Sequence, residues 1–228
     1  MHIKYNPWAD QNGAVLIEFA YCLPIFMGLC LTGIELGNMA TVTTKLSQLT
    51  LSVADNLSRA KQSVPIGLPE FREHDVNDAF VGAQGQSGDM DVLKNGRIIV
   101  SSLQQNSAGG QWIAWQRCKG LKNAVSAYGT EDTGKTGTAF TGMGTGTTTQ
   151  KVTAPAGAAI MFVEVSYTYQ PLVSGSLLGP KTMTKEAAFY VRDDRKLTNG
   201  PKLNGITNPS TTTAASTTPS TCNIFSAS

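Results

Sequence analysis

The stretch GAVLIEFAYCLPIFMGLCLTGIEL, residues 13–36, constrains this chain more than any other. Between Ala14 and Ile34 the only charged residue is Glu18. A bilayer core takes about 20 apolar residues as a helix, so this run is long enough to span one. A buried helix in a soluble domain can be equally apolar, but the remaining long segments here are polar and Gly-rich and offer no core large enough to hide it. The reading is a transmembrane helix over residues 14–36. An acidic side chain inside such a helix costs about 2.5–3.5 kcal/mol on insertion scales, so it normally has a partner or a task. Glu18 lies near the N-terminal end, where it can snorkel to the interface and meet the helix dipole, or pair with another chain. Pro24 removes one backbone hydrogen bond and predicts a local kink that membrane helices tolerate.

Beyond Glu35 the sequence turns polar but keeps a period. Met39, Val42, Leu46, Leu49, Val53 and Leu57 recur at steps of three and four, which draws a narrow apolar stripe on a helix. The spacing predicts an amphipathic extension over residues 37–64, ended by Pro65 and Pro69. The whole rod would be of order 70 Å long at 1.5 Å per residue. Its stripe suits either the chain's own sheet or a neighbouring subunit.

Downstream, RIIVSSL (97–103) and QWIAWQR (111–117) are β-rich runs separated by Asn-Ser-Ala-Gly-Gly, which predicts a hairpin. AIMFVEVSYTY (159–169) is the clearest strand. Met161, Val163, Val165, Tyr167 and Tyr169 share one face; Ile160, Phe162, Glu164, Ser166 and Thr168 share the other, which turns polar as a half-covered sheet would. KEAAFYVR (185–192) can return beside it. The fold class is therefore α+β: a long N-terminal transmembrane helix continuing into an amphipathic helix packed on a small antiparallel sheet. The head spans 65–196, with a Gly/Thr-rich loop over 129–157 expected to be flexible. The tail, 197–228, is Ser/Thr/Pro-rich and is expected to be flexible unless Cys222 pins it and Ile224 and Phe225 dock.

The 228 residues make one or two domains. A net charge of +2 with 15% charged residues leaves no basic footprint for nucleic acid. Cys22 and Cys30 lie in the apolar helix and read as small hydrophobes. Cys118 and Cys222 are candidates for a disulfide if the head is outside the cytoplasm, although spacing alone does not bring two Cα atoms within reach. There is no C-x-x-C, and His2 and His74 are the only histidines, so no metal and no cofactor is expected. Residues 129–136 match the phosphate-loop pattern G-x-x-x-x-G-K-[ST]. The following TAFTGMGTGTTT is a poor helix former, and Glu131 and Asp132 would repel phosphates. His74 beside Asp75 has no nucleophile, and the carboxylates are scattered, so no catalytic residue is assigned and no enzyme is expected. Trp112 and Trp115 read as core or sheet-face residues.

The opening of the apolar run carries a resemblance. Gly13, four apolar residues, Glu18 and Phe19, leading a long hydrophobic helix, resemble a type IV prepilin processing site. With Pro24 following, the Glu-Phe pair resembles the TadE-like minor pilins, or pseudopilins, of tight-adherence (Tad/Flp, type IVb-like) pilus systems. FVEVSYTYQPL and EAAFYVR look like that family's late strand ending near a Pro and its final strand closing on an Arg. Residues 79–157 match nothing in it, and the leader MHIKYNPWADQNG is less basic than the family's pattern. The apolar run is too long, and GIELGNMA too poor a cleavage site, for a secretory signal peptide.

The resemblance implies a leader of residues 1–13, cut by a prepilin peptidase between Gly13 and Ala14. Ala14 would supply the new amine, and Glu18 would pair with that amine on a neighbour. It implies a single-pass protein of the bacterial inner membrane, N-terminus cytoplasmic and head periplasmic or extracellular. Its partners would be the peptidase, other pilins and Tad assembly proteins, and inner-membrane lipid, with no nucleic acid. A second reading is a permanently anchored extracytoplasmic binding protein, which predicts no cut. A nucleotide-binding enzyme would instead require Lys135 for ATP.

Overall fold

The computed structural model describes residues 12–64, 66–146, 150–173, 179–192, 194–200, 202–208 and 217–227. Residues 1–11 of the expected leader, Pro65 and residues 209–216 of the tail lie outside these. The fold is α+β. A 48-residue helix, α1 (Asn12–Arg59), leads to α2 (Glu73–Ser87), a 3-10 turn (Gly88–Met90) and the short α3 (Val92–Asn95). Four strands follow: β1 (Gly96–Gln105), β2 (Gln111–Lys119), β3 (Ala159–Thr168) and β4 (Thr182–Tyr190). They form one antiparallel sheet in the order β2-β1-β3-β4.

The helix runs unbroken through Pro24. Its C-terminal half carries the apolar stripe, and that stripe packs on the chain's own head. Leu46, Leu49, Val53 and Leu57 are buried against Val163, Val165 and Tyr167 of β3 and Phe80 of α2, with Met39 and Val42 at the margin. Polar residues turned inward are satisfied locally: the Thr50 hydroxyl donates to the Leu46 carbonyl at 2.7 Å. At the far end the Arg195 guanidinium donates to the carbonyl oxygens of Leu57 and Ala60, closing off backbone acceptors that a helix C-terminus leaves open. Arg195 also lies 4.4 Å over the Phe71 ring.

Helix α2 is absent from the sequence-based expectation, and its sequence explains why. EHDVNDAFVGAQGQS is mostly polar and holds two glycines. Only Val76, Phe80 and Ala83, at steps of four and three, draw a buried stripe. The start is set by Asp75, whose carboxylate accepts the Arg72 backbone N–H at 2.9 Å and the Arg72 guanidinium at 3.0 Å. A carboxylate in the first turn both caps an orphan donor and answers the helix dipole.

The strand faces follow the period-two pattern. Met161, Val163, Val165 and Tyr167 join the core under α1, whereas Ile160 and Phe162 face away. That second face is not half-covered by solvent, as the sequence suggested. The Gly/Thr-rich segment expected to be flexible packs over it where it is described. Met143 and Ala154 are buried there with Leu103, Ile113, Ile160 and Phe162. Glycine makes the close approach possible: a Cβ on Gly134, whose φ is 76°, would lie 2.3 Å from the Gln111 carbonyl oxygen. β4 also begins earlier than expected, pairing Thr182 with Thr168 and Lys185 with Val165, and it ends at Tyr190 before Val191 and Arg192.

The described part of the tail docks too. Cys118 on β2 and Cys222 form a disulfide, with Cα atoms 4.7 Å apart and a sequence separation of 104. The Cys118 and Gly120 N–H groups donate to the carbonyls of Ser220 and Ser226, so the tail lies along the outer edge of β2 and covers it. Arg97, buried at the start of β1, donates to the carbonyls of Gly120, Cys222 and Ile224 and lies 4.0 Å from the Phe225 ring. Closing so long a loop restricts the unfolded chain. Cys222→Ser is expected to lower the unfolding free energy by about 2–5 kcal/mol, measured as the urea midpoint of the detergent-solubilised full chain. An unchanged midpoint would mean that Arg97 alone holds the tail.

Candidate functional site

The N-terminal half of α1 is the most unusual surface of the molecule. From residue 13 to residue 31 every position is exposed, and the apolar side chains include Leu16 at 71% and Tyr21 at 75%. The helix is long and apolar enough to cross a membrane, and none of the described residues buries its apolar window. A patch of this size on a soluble monomer would be an association liability. One long apolar N-terminal helix of this kind is compatible with a single-pass membrane anchor.

Gly13 and Ala14 lie in the first turn of α1, with Glu18 and Phe19 on the next turn, all exposed. A Cβ added to Gly13 meets nothing within 4 Å. The fold therefore gives no steric reason for glycine there, and any requirement for it comes from outside the chain.

The exposed half ends abruptly at Glu35, which is wholly buried. Its carboxylate accepts the Tyr169 hydroxyl at the end of β3, the Leu172 N–H at 3.1 Å and the Val173 N–H at 2.9 Å. One turn on, the Asn38 amide donates to the Tyr169 oxygen at 2.8 Å. Burial pushes the Tyr169 phenol's pKa up, and the Glu35 carboxylate adds to the shift, so the hydroxyl stays a donor. This junction fastens α1 to the head at the point where the helix stops facing outward. Sequence reasoning missed it, taking Glu35 as part of the membrane segment. The available signal was a Glu followed at i+3 by Asn at the polar boundary, with a strand ending in Tyr before a Pro.

A second cluster lies in a cleft of about 480 Å³ lined by residues including Glu73, Arg117, Glu131 and Lys202. The Arg117 guanidinium donates to Glu73 at 2.8 Å and to Glu131 at 2.9 Å, and Lys202 pairs with Glu131. Burial works to raise the Glu131 carboxyl, but Lys202 and Arg117 outweigh it and hold the pKa below the usual value. The cations and carboxylates thus answer one another. Glu131 belongs to the phosphate-loop-like stretch, which forms turns here and is followed over residues 137–146 by bends and a bridge in place of a helix, while Lys135 pairs with Asp132 at 3.1 Å. His74 pairs with Asp78, not with Asp75. Trp115 stacks on Phe71 in the core with ring centroids 5.4 Å apart, and Trp112 is partly buried at its margin.

On the second sheet face Glu164 and Glu186 stand directly opposite across β3 and β4. Glu164 is buried and accepts the Ser126 hydroxyl at 2.6 Å and the Ala127 N–H at 2.9 Å; Glu186 accepts the Tyr128 hydroxyl at 2.8 Å. These bonds hold residues 126–128 against the sheet. Burial pushes the Glu164 carboxyl up, and Glu186 adds to it. No family model, curated protein or solved structure matches this chain.

Two outcomes follow from these carboxylates. Tyr169→Phe removes one donor to Glu35 and leaves Asn38 without its acceptor. It is expected to speed hydrogen exchange of the Leu172 and Val173 amides by about tenfold, with the β1–β3 amides unchanged. Because the folded pKa of Glu164 is raised, its contribution to stability is full below the ordinary glutamate value of 4.5 and is lost as pH climbs through the folded value. Glu164→Gln is therefore expected to be more stable than the parent at neutral pH, with the gain shrinking as pH falls toward 4.5 and levelling off below it, as read from denaturation midpoints across pH. A constant difference at all pH values would assign the effect to packing.

Proposed function

We propose that this protein is a minor pilin (pseudopilin), or an assembly factor, of a Tad-type pilus, cut by a prepilin peptidase and assembled through its N-terminal helix. The observation that supports this reading is the exposed apolar half of α1, opening with Gly13, Ala14, Glu18 and Phe19 ahead of a well-packed head. Each residue has a part in it. Gly13 leaves the backbone accessible to the peptidase, since a side chain there would obstruct the cut. Ala14 becomes the new N-terminus, and Glu18 answers its amine on a neighbouring subunit, which is far cheaper in lipid than a lone carboxylate. The head stays outside the cytoplasm, where the Cys118–Cys222 disulfide is chemically at home. A permanently anchored binding protein is the second reading, and the cleft beside Arg117 is the feature that favours it.

Intact mass of the protein, purified with and without an active prepilin peptidase, separates the two. The pilin reading expects a chain beginning at Ala14 only when the peptidase is present. It also expects Gly13→Leu to remain uncut with its head folded normally, because the added side chain meets open space. A Met1 start in membranes that contain active peptidase would overturn the reading and leave the anchored binding protein in its place.

A further inference from the structure

The junction at Glu35 sets not only where the helix leaves the head but also which end of the head faces the anchor. α1 runs along the sheet from the Tyr169 end, where Glu35 and Asn38 bond, toward the Tyr190 end, where Asp55 meets Arg192. The exposed half therefore leaves from the end formed by the last residues of β2 and β3 and the start of β1 and β4. Three connections gather there. Leu121, just past β2, donates its N–H to the Leu93 carbonyl of α3. The Lys122 N–H donates to the Gly96 carbonyl, and its ammonium reaches the hydroxyls of Thr168 and Thr182. Tyr169 donates its N–H to the Lys181 carbonyl across the β3–β4 connection.

Cations and exposed apolar side chains meet at this end. Lys94, Lys119, Lys122 and Lys181 stand there against Asp89 and Asp91, and Asp91 already accepts the Gln84 amide at 2.6 Å. The Lys122 ammonium is held by hydroxyls and not by a carboxylate. Between the lysines Leu172 is 67% exposed and Leu121 is 48% exposed. Cations flanking protruding leucines are what an anionic lipid surface takes: leucine enters the headgroup boundary, and ammonium groups meet phosphate.

The depth agrees. Residues 14–34 as a helix rise about 31 Å at 1.5 Å each, and a hydrocarbon core is about 30 Å thick with roughly 5–7 Å of headgroup layer on either side. If α1 spans the bilayer, Glu35 lies at the edge of the hydrocarbon. The Leu172 N–H is 3.1 Å from that carboxylate, so Leu172 lies in the headgroup layer.

We infer that this end of the head is a docking surface for the anionic phospholipid headgroups of the membrane that α1 crosses, with Lys94 and Lys181 as the main charge contacts and Leu172 and Leu121 as the inserted side chains. The inference rests on the anchored reading of α1 but not on pilus assembly or on the cut at Gly13. Its effect is to hold the head upright on the membrane.

The test is hydrogen exchange on the full chain in nanodiscs of phosphatidylcholine with and without phosphatidylglycerol. The amides of Leu121, Lys122, Leu172 and Val173 are expected to exchange about tenfold more slowly in the anionic discs. Added salt is expected to erase the difference, and so is the double variant Lys94→Gln/Lys181→Gln, which touches neither the core nor the Glu35 junction. Equal protection in both discs, or protection indifferent to both salt and the variant, overturns the contact while the helix remains anchored. A chain that enters neither kind of disc overturns the contact together with the anchored reading beneath it.

Discussion

A single helix presents two kinds of surface, and the buried carboxylate of Glu35 marks where one gives way to the other. Ahead of it α1 presents apolar side chains on every face, and none of its apolar window is buried by the described residues. Behind it the same helix is amphipathic and supplies the spine of a core. The backbone does not change at the boundary; only the partner does. A helix satisfies its own backbone hydrogen bonds, which is why it can pass from a packed interface to an apolar surrounding without interruption.

The head is built to hold that spine firmly. Sheet and α2 enclose the stripe of Leu46, Leu49, Val53 and Leu57, Arg195 closes the C-terminal carbonyls, and Glu35 with Tyr169 closes the other end. Both edges of the arrangement are managed. The β2 edge is covered by the tail through the disulfide and the Arg97 bonds to tail carbonyls, while β4 borders α1 and carries Lys185 and Glu186. Charged residues on an edge strand discourage pairing with another chain. Polar clusters elsewhere, around Arg117 and around Glu164, tie loops to the sheet, and their partners account for their burial.

How much of this could be read beforehand depended on how local the cause was. The helix to Arg59, the hairpin of β1 and β2, and the two faces of β3 follow from periodicity within a window of residues. Helix α2 did not show, because its stripe of Val76, Phe80 and Ala83 is short, interrupted by glycine, and stabilised by α1 and by Asp75 at its start. The described parts of 129–157 and of the tail looked flexible by composition, since Gly, Ser and Thr supply little apolar area of their own. They are ordered through a few distant contacts, such as Met143 against Phe162 and Cys222 against Cys118.

The sequence by itself determined the long apolar helix, its amphipathic continuation, the α+β class and the motif at Gly13, Ala14, Glu18 and Phe19, because each rests on neighbours along the chain. Only the tertiary structure decided that the stripe meets the chain's own sheet, that Glu35 is a buried junction with the head, and which end of the head stands beside the exposed helix. Those depend on contacts between residues more than a hundred positions apart, as between Glu35 and Tyr169, and no local pattern encodes which distant donor a carboxylate will meet.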